Sequence, residues 1–229
     1  MKKYYLLLAV IPIVFASCKS RCIKGDGNIT DNASRYFNYF TTVQSDIKSD
    51  VIITQVFDSL PDEVFIRCDG NNTLYIQQDE EECIKPSKPI EVYVYAHKIS
   101  GLTSNSTGEM TCDDIVSTNV SVQVLGNGSI YMNYADIEQL NANLSGNGII
   151  QINGKGITAN YTNWGSGRLT AAQMMLTGNC QATCKGTGGL SLYCKGILTA
   201  DPGPNGAVIT FYGDPQTVIA PIERVVPGD

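Results

Sequence analysis

Four carboxylates, Asp113, Asp114, Asp136 and Glu138, stand close together in the chain, with Arg168 downstream as a basic counterpart. Carboxylates beside a base could cleave a polysaccharide by acid–base chemistry, but only if they converge on one face. Asp113 and Asp114 are neighbours and Asp136 and Glu138 flank Ile137, so a shared outer edge and a merely solvated surface both fit the spacing. The chain has a single His, which excludes a histidine-rich metal site. Cys180-x-x-x-Cys184 has the wrong spacing for a zinc ribbon and no second pair to complete one. The Gly-Gly-x-Gly-x-Asp pattern of repeat calcium sites is also absent. No catalytic or metal-ligating residue is therefore assigned, no cofactor is expected, and the chain reads as a non-enzyme.

Cys18 has a different chemistry, set by what precedes it. Lys2 and Lys3 lead into an apolar run from Tyr4 to Phe15, interrupted by Pro12, and the run ends in Phe15-Ala16-Ser17-Cys18. A basic start, a short apolar stretch and small residues before a cysteine resemble a bacterial lipoprotein signal, with cleavage before Cys18 and lipid attached to it. Phe15 stands where leucine is usual, and a plain secretory signal is the alternative. About a dozen apolar residues fall short of the ~20 that a membrane helix needs. The expected organisation is a signal peptide over 1–17, a lipidated tether over 18–27 and one domain over 28–229. Lys19 and Arg21 follow the cysteine where a surface-export tag would be acidic, a lean toward the periplasmic face of the outer membrane over the cell surface.

The element that must position everything else is a repeat. Corners recur at Thr107-Gly108, Gly126-Asn127-Gly128, Gly146-Asn147-Gly148, Gly165-Ser166-Gly167, Gly186-Thr187-Gly188 and, degenerately, Asn205-Gly206. Successive last glycines are 20, 20, 19, 21 and 18 residues apart. Two past each anchor stand Met110, Ile130, Ile150, Leu169, Leu190 and Val208; four past stand Cys112, Met132, Ile152, Ala171, Leu192 and Thr210. A third column is expected nine past, at Ile137, Ile157, Leu176 and Ile197, and a fourth six before, at Leu102, Val122, Ala142, Tyr161 and Ala182. Period two within a coil and period twenty between coils predict a parallel β-helix, an all-β solenoid of stacked coils about 20 residues long. A β-sandwich with a hairpin at each Gly-Asn-Gly is the alternative, though hairpins need not keep one register through successive units. The corner glycines are expected to supply positive φ.

Upstream, alternation at Val51 and Ile53, Val64 and Ile66, Leu74 and Ile76, and Ile90, Val92 and Val94 predicts a β-rich segment that caps the solenoid. Asp69 to Asn72 reads as a hairpin or tight corner, and Asp79 to Glu82 as a solvated loop. Without Cys18 seven cysteines remain, an odd number. Among Cys112, Cys180, Cys184 and Cys194 no two are about twenty apart, so none is expected to bridge equivalent positions of neighbouring coils; Cys68 and Cys83, flanking the hairpin-like segment, form the favoured pair. A net charge of −6 argues against nucleic acid, whose phosphates call for Lys and Arg.

The entry segment from Tyr36-Phe37 to Gln55, the alternating strand Ile90 to Val94, the Gly-x-Gly coils and the closing Tyr212-Gly213-Asp214-Pro215 together resemble the auto-transporter adhesin family with the head GIN domain, over roughly residues 28–226. The resemblance implies a single-stranded right-handed parallel β-helix in extracytoplasmic proteins of Gram-negative bacteria, and a role in adhesion. It carries over no catalytic residue.

Outward positions offer the candidate binding surface. Thr111, Tyr131, Gln151, Thr170 and Ser191 should form one uncharged row, and Thr103, Gln123, Asn143, Thr162 and Thr183 a second. Hydroxyls, amides and a ring on a rigid surface suit a glycan or the polar strand edge of an envelope protein, whereas a merely solvated face is the plain alternative. Trp164, Tyr131 and Tyr193 are further candidates for ligand contact, and Tyr161 sits in an inward column. The expected function is a lipid-anchored, non-catalytic binding module or adhesin of the cell envelope, attached to the membrane through Cys18. A structural envelope lipoprotein and, third, a polysaccharide-active enzyme are the other readings.

Overall fold

The computed structural model describes residues 23–24, 39–55, 72–77, 84–85, 90–204, 207–220 and 224–228. The leader 1–17, Cys18, Val64 and Ile66, Cys68 and Cys83, Asp69 to Asn71, Asp79 to Glu82 and the Asn205–Gly206 anchor lie outside the described residues.

The described elements are β1 (Ile23–Lys24), β2 (Thr42–Ser45), β3 (Ser49–Gln55), β4 (Thr73–Ile76), β5 (Ile84–Lys85), β6 (Ile90–Ala96), β7 (Gly101–Ser104), β8 (Glu109–Asp113) and β9 (Ile115–Val124). They continue with β10 (Ser129–Leu144), β11 (Ile149–Asn163), β12 (Arg168–Leu176), β13 (Cys180–Cys184), β14 (Leu190–Tyr193), β15 (Ile197–Asp201), β16 (Ile209–Tyr212), β17 (Thr217–Ile219) and β18 (Val225–Pro227). Every ladder among them is parallel, and the chain forms a parallel β-solenoid of about 6 turns. Parallel neighbours one coil apart cannot arise from hairpins, which settles the choice against the sandwich.

The long strands bend around corners, so the solenoid has three sides. Face A stacks β4, β2, β7, the last parts of β9, β10 and β11, then β13, β15 and β17. Face B stacks β6, β3, β8, the first parts of β10, β11 and β12, then β14, β16 and β18. Face C is shorter, and aligns Ile115, Ala135, Gly154 and Met174 across the middle coils. β1 and β5 pair separately.

The expected N-terminal cap is part of the solenoid, with its coils out of sequence order. β2 lies between β4 and β7, and β3 between β6 and β8. β4 and β6 therefore lie outermost on their faces, although they follow β2 and β3 in the chain.

Three of the four predicted columns face the core. Met110, Ile130, Ile150, Leu169 and Leu190 are buried, as are Cys112, Met132, Ile152, Ala171 and Leu192, and Leu102, Val122, Ala142, Tyr161 and Ala182. Burying each large side chain contributes about 1.5–3 kcal/mol, and stacking like on like leaves few voids. The third column needs correction. Ile137 and Leu176 are buried, but Ile157 is 50% and Ile197 37% exposed. An extra residue in β10 between Met132 and Ala135 changes the offset, so that Ile137 pairs with Gly156 rather than Ile157. At Ile197 the cause is different: the chain runs from β14 to β15 with no face C strand between them, and Leu198 takes the inward place opposite Cys180. Val208 is likewise exposed, because Ile209 pairs with Leu190, and this places Thr210 in the outward row beside Ser191.

The corner glycines also require a different account. Among described glycines φ is positive only at Gly154, Gly203 and Gly213, none of them in a Gly-x-Gly corner. What the corners demand is the absence of Cβ. A Cβ on Gly148 would lie 1.8 Å from the Gly128 carbonyl oxygen, and one on Gly188 1.7 Å from that of Gly167. Corner carbonyls hydrogen-bond into the next coil: Ser129 N donates to Gly108 O at 3.0 Å, Ile149 N to Gly128 O at 3.2 Å and Arg168 N to Gly148 O at 3.1 Å.

Among the described residues five polar side chains are buried, Ser45, Ser49, Gln55, Ser104 and Asn163, and the last is held at a corner. Asn163 occupies the column of Leu144 and Cys184 and is fully buried. Its Nδ2 donates to Gly167 O at 3.0 Å and Gly189 O at 3.1 Å, while its Oδ1 accepts from Gly165 N at 3.0 Å. It pins its own corner and the next, and all its donors and acceptors used here are satisfied, which keeps a buried amide inexpensive.

Two stability outcomes follow. Gly148→Ala should cost about 3 kcal/mol through overpacking in urea unfolding, whereas Gly189→Ala, where an added Cβ meets nothing within 4 Å, should stay within about 0.5 kcal/mol. Equal losses would show that the corners act through something other than close approach. Asn163→Leu, the side chain found one coil back, should cost about 1–3 kcal/mol because Gly165 N–H loses its acceptor and two carbonyls each lose a donor; a variant as stable as the parent would remove this corner role.

Candidate ligand-binding faces

The row Thr111, Tyr131, Gln151, Thr170 and Ser191 forms as expected on face B. Each residue stands directly beside the next in the ladders, and all are half-buried. The row is flanked by charge. Thr111 Oγ1 donates to Glu109 Oε1 at 3.3 Å and Asn133 Nδ2 donates to Asp113 Oδ1 at 2.6 Å, while Arg168 opens β12 at the Glu109 end of the face.

The second row, Thr103, Gln123, Asn143, Thr162 and Thr183, is equally well aligned on face A. Here the surface is not flat. Ser121, Gln123, Asn141, Ala142, Asn143, Asn160 and Thr162 line an open groove of about 230 Å³. Asn160 Nδ2 donates to Asn141 Oδ1 at 2.9 Å, which joins two coils along one wall. The Asn143 Oδ1 atom, on the groove, is buried and has no hydrogen-bond partner among the described residues. A buried amide oxygen normally accepts a bond, and this one receives none from the described residues. Trp164 stands two residues past Thr162 at the corner of the same coil and is 54% exposed. Lys185 Nζ sits 5.4 Å from its ring centroid and also pairs with Asp201 Oδ2 at 3.5 Å, which holds the indole by a cation–π contact.

Sequence reading anticipated Gln123, Asn143 and Thr162 but not Ser121, Asn141 and Asn160, the other wall. Those three pair coil to coil. Their signal is a second polar column two residues before the first, which alternation places on the same side.

The acidic residues do not converge. Asp136 sits on face C opposite Val116 and pairs with Lys155 Nζ at 2.9 Å, a contact that raises the lysine pKa. Asp113 ends β8 on face B, and Asp114 makes the following corner with φ 52°. Arg168 lies at the opposite end of face B. Among the described residues no three His, Cys, Asp or Glu side chains are placed to hold a metal ion. Tyr161 is buried, and burial pushes its phenol well above the usual range; its hydroxyl has no partner among the described residues. Cys112 is pushed up to about 12, by burial first and then by Asp113, so it is a neutral core side chain at ordinary pH.

Solved structures share this architecture. A putative adhesin from Bacteroides fragilis superimposes with a TM-score of 0.72 at 16% identity, covering 83% of this chain and 92% of that one. A putative lipid binding protein from Parabacteroides distasonis gives 0.58 at 14% identity, with 91% and 100% covered. A putative adhesin from Parabacteroides merdae gives 0.54 at 14% identity, with 90% and 99% covered. At such identities the likeness is one of fold. No curated protein matches the sequence. Residues 40–215, a narrower span than 28–226 but most of the chain, match the family described as "Putative auto-transporter adhesin, head GIN domain", and the chain belongs to that family.

Proposed function

We propose that this protein is a non-catalytic binding module of the cell envelope, anchored through lipid on Cys18, and that its ligand lies along the uncharged side of the solenoid. The observation that carries the reading is the face A groove with the unpartnered Asn143 Oδ1 on its wall. Around that acceptor are amides and hydroxyls: Ser121, Gln123, Asn141, Asn160 and Thr162. Such a surface exchanges hydrogen bonds with a hydroxylated chain and offers no charge to select an ionic one. Trp164, exposed at the corner, adds a ring face for a sugar's C–H side. A neutral glycan fits this combination best. The family and the adhesins of like fold support adhesion at the envelope or surface.

The basic start, apolar run and Phe15-Ala16-Ser17-Cys18 sequence support the anchor and an outer-membrane location, on the periplasmic face or the cell surface. The face B row of Thr111, Tyr131, Gln151, Thr170 and Ser191 is the second candidate surface.

Binding to a panel of neutral glycans distinguishes the two. Thr162→Lys in the groove should weaken a captured glycan by at least about tenfold, or about 1.4 kcal/mol. The face B double variant Gln151→Glu with Thr170→Lys should bind as the parent does, and both proteins should keep their stability within about 1 kcal/mol. Loss of binding only in the double variant would move the site to face B. A panel from which nothing binds the parent would sink the glycan reading.

A further inference from the structure

Among the described residues, Cys180 and Cys194 meet inside the core without being equivalent positions of neighbouring coils. Cys180 opens β13 on face A, and Cys194 follows β14 at the end of face B, where the chain turns directly into β15. This is the turn that lacks a face C strand, so the start and end of one coil are drawn together. Both sulfurs approach the same carbonyl: Gly178 O is 3.9 Å from Cys180 Sγ and 3.6 Å from Cys194 Sγ. Cys180 Sγ is also 3.7 Å from Tyr193 O, the carbonyl of the residue that precedes Cys194. Both are buried. The backbone holds this closure from outside, with Gly196 N donating to Gly178 O at 3.0 Å and Ile197 N to Asn179 Oδ1 at 2.9 Å.

We propose that Cys180 and Cys194 are a disulfide site, oxidised while this coil closes, and that the bond locks the turn from β14 into β15 against the start of β13. The oxidant is an external disulfide, either a small-molecule disulfide or that of a thiol oxidoreductase. One of the two cysteines, as its thiolate, attacks one sulfur of that disulfide; the external S–S bond breaks, a mixed disulfide forms, and one external thiolate leaves and takes up a proton. The other cysteine's sulfur, giving up its proton, then attacks the first cysteine's sulfur and releases the second external thiol. Two protein thiols lose two electrons and two protons, and one external disulfide becomes two thiols. Since both thiols are covered in the closed coil, exchange belongs to the folding chain.

The other two described cysteines behave differently. Cys184 Sγ donates to Gly188 O at 3.2 Å in its own corner, and Cys112 is packed in the column between Ile53 and Met132. Neither is placed to join the pair.

The test refolds the full chain with oxidised glutathione or with a reductant, alkylates it under denaturing conditions, and maps the peptides by mass. The expected product of oxidative refolding is a Cys180–Cys194 linked peptide, lighter by two hydrogens than the sum of the free thiols, with Cys112 and Cys184 alkylated. The oxidised protein should also melt roughly 5 °C or more above its reduced form, a difference that shrinks in the Cys180→Ala, Cys194→Ala double variant. Alkylation of both Cys180 and Cys194 after oxidative refolding, or linkage of either to another cysteine, would overturn the proposal. So would an undiminished redox shift in the double variant. Should that variant not fold, the peptide map of the parent still decides.

Discussion

The approach of one corner glycine to the next sets the geometry of this solenoid. A carbonyl oxygen lies where the following coil's Cβ would be, as between Gly128 and Gly148 or Gly126 and Gly146. That distance allows the corner N–H groups to bond to the coil before them, and it holds the flat faces in parallel register on either side. Hydrophobic columns alone would tolerate a sliding coil, since one apolar residue resembles another. The corner does not slide, because only a glycine enters it. Asn163 adds a second restraint in the coil where the inward column is polar, and Cys184 makes a weaker version of the same bond one coil later.

Most of this was legible in the sequence because two periods coincide. Alternation identifies the inward side, the recurrence of about twenty residues identifies which inward residues stack, and Met110 to Leu190 or Leu102 to Ala182 obey both. The failures occur where a period is locally broken. A single extra residue between Met132 and Ala135 carried Ile157 to the outside, and the missing third side after β14 did the same to Ile197. The reason for the glycines was misread as well, because sequence cannot distinguish a residue chosen for its backbone angles from one chosen for its lack of a side chain. The Cys180–Cys194 contact was hidden for a related reason. A search at one coil's spacing looks between coils, and these two lie at opposite ends of a single shortened one.

The candidate site was legible in part. The second outward row was predicted with its residues in the right register, but a row is not a groove. What gives the groove its other wall is the second polar column, Ser121, Asn141 and Asn160. The carboxylates that invite a hydrolytic reading are separated by corners, and each described contact they make, to Asn133 or Lys155, is with a surface neighbour.

The N-terminal coils carry a consequence for how such a protein is made. A solenoid whose coils stack in chain order can add each turn to the one before as it leaves the ribosome. Here the coil of β2 and β3 is flanked by β4 and β6 on one side and by β7 and β8 on the other, all of them later in sequence. It becomes an interior layer only after the chain has travelled outward and returned past it. That end cannot grow by simple accretion, and its closure is a long-range event of the kind that slows folding. The regular coils from β9 onward have no such debt, which makes the far half of the molecule the natural template on which the first-made strands finally settle.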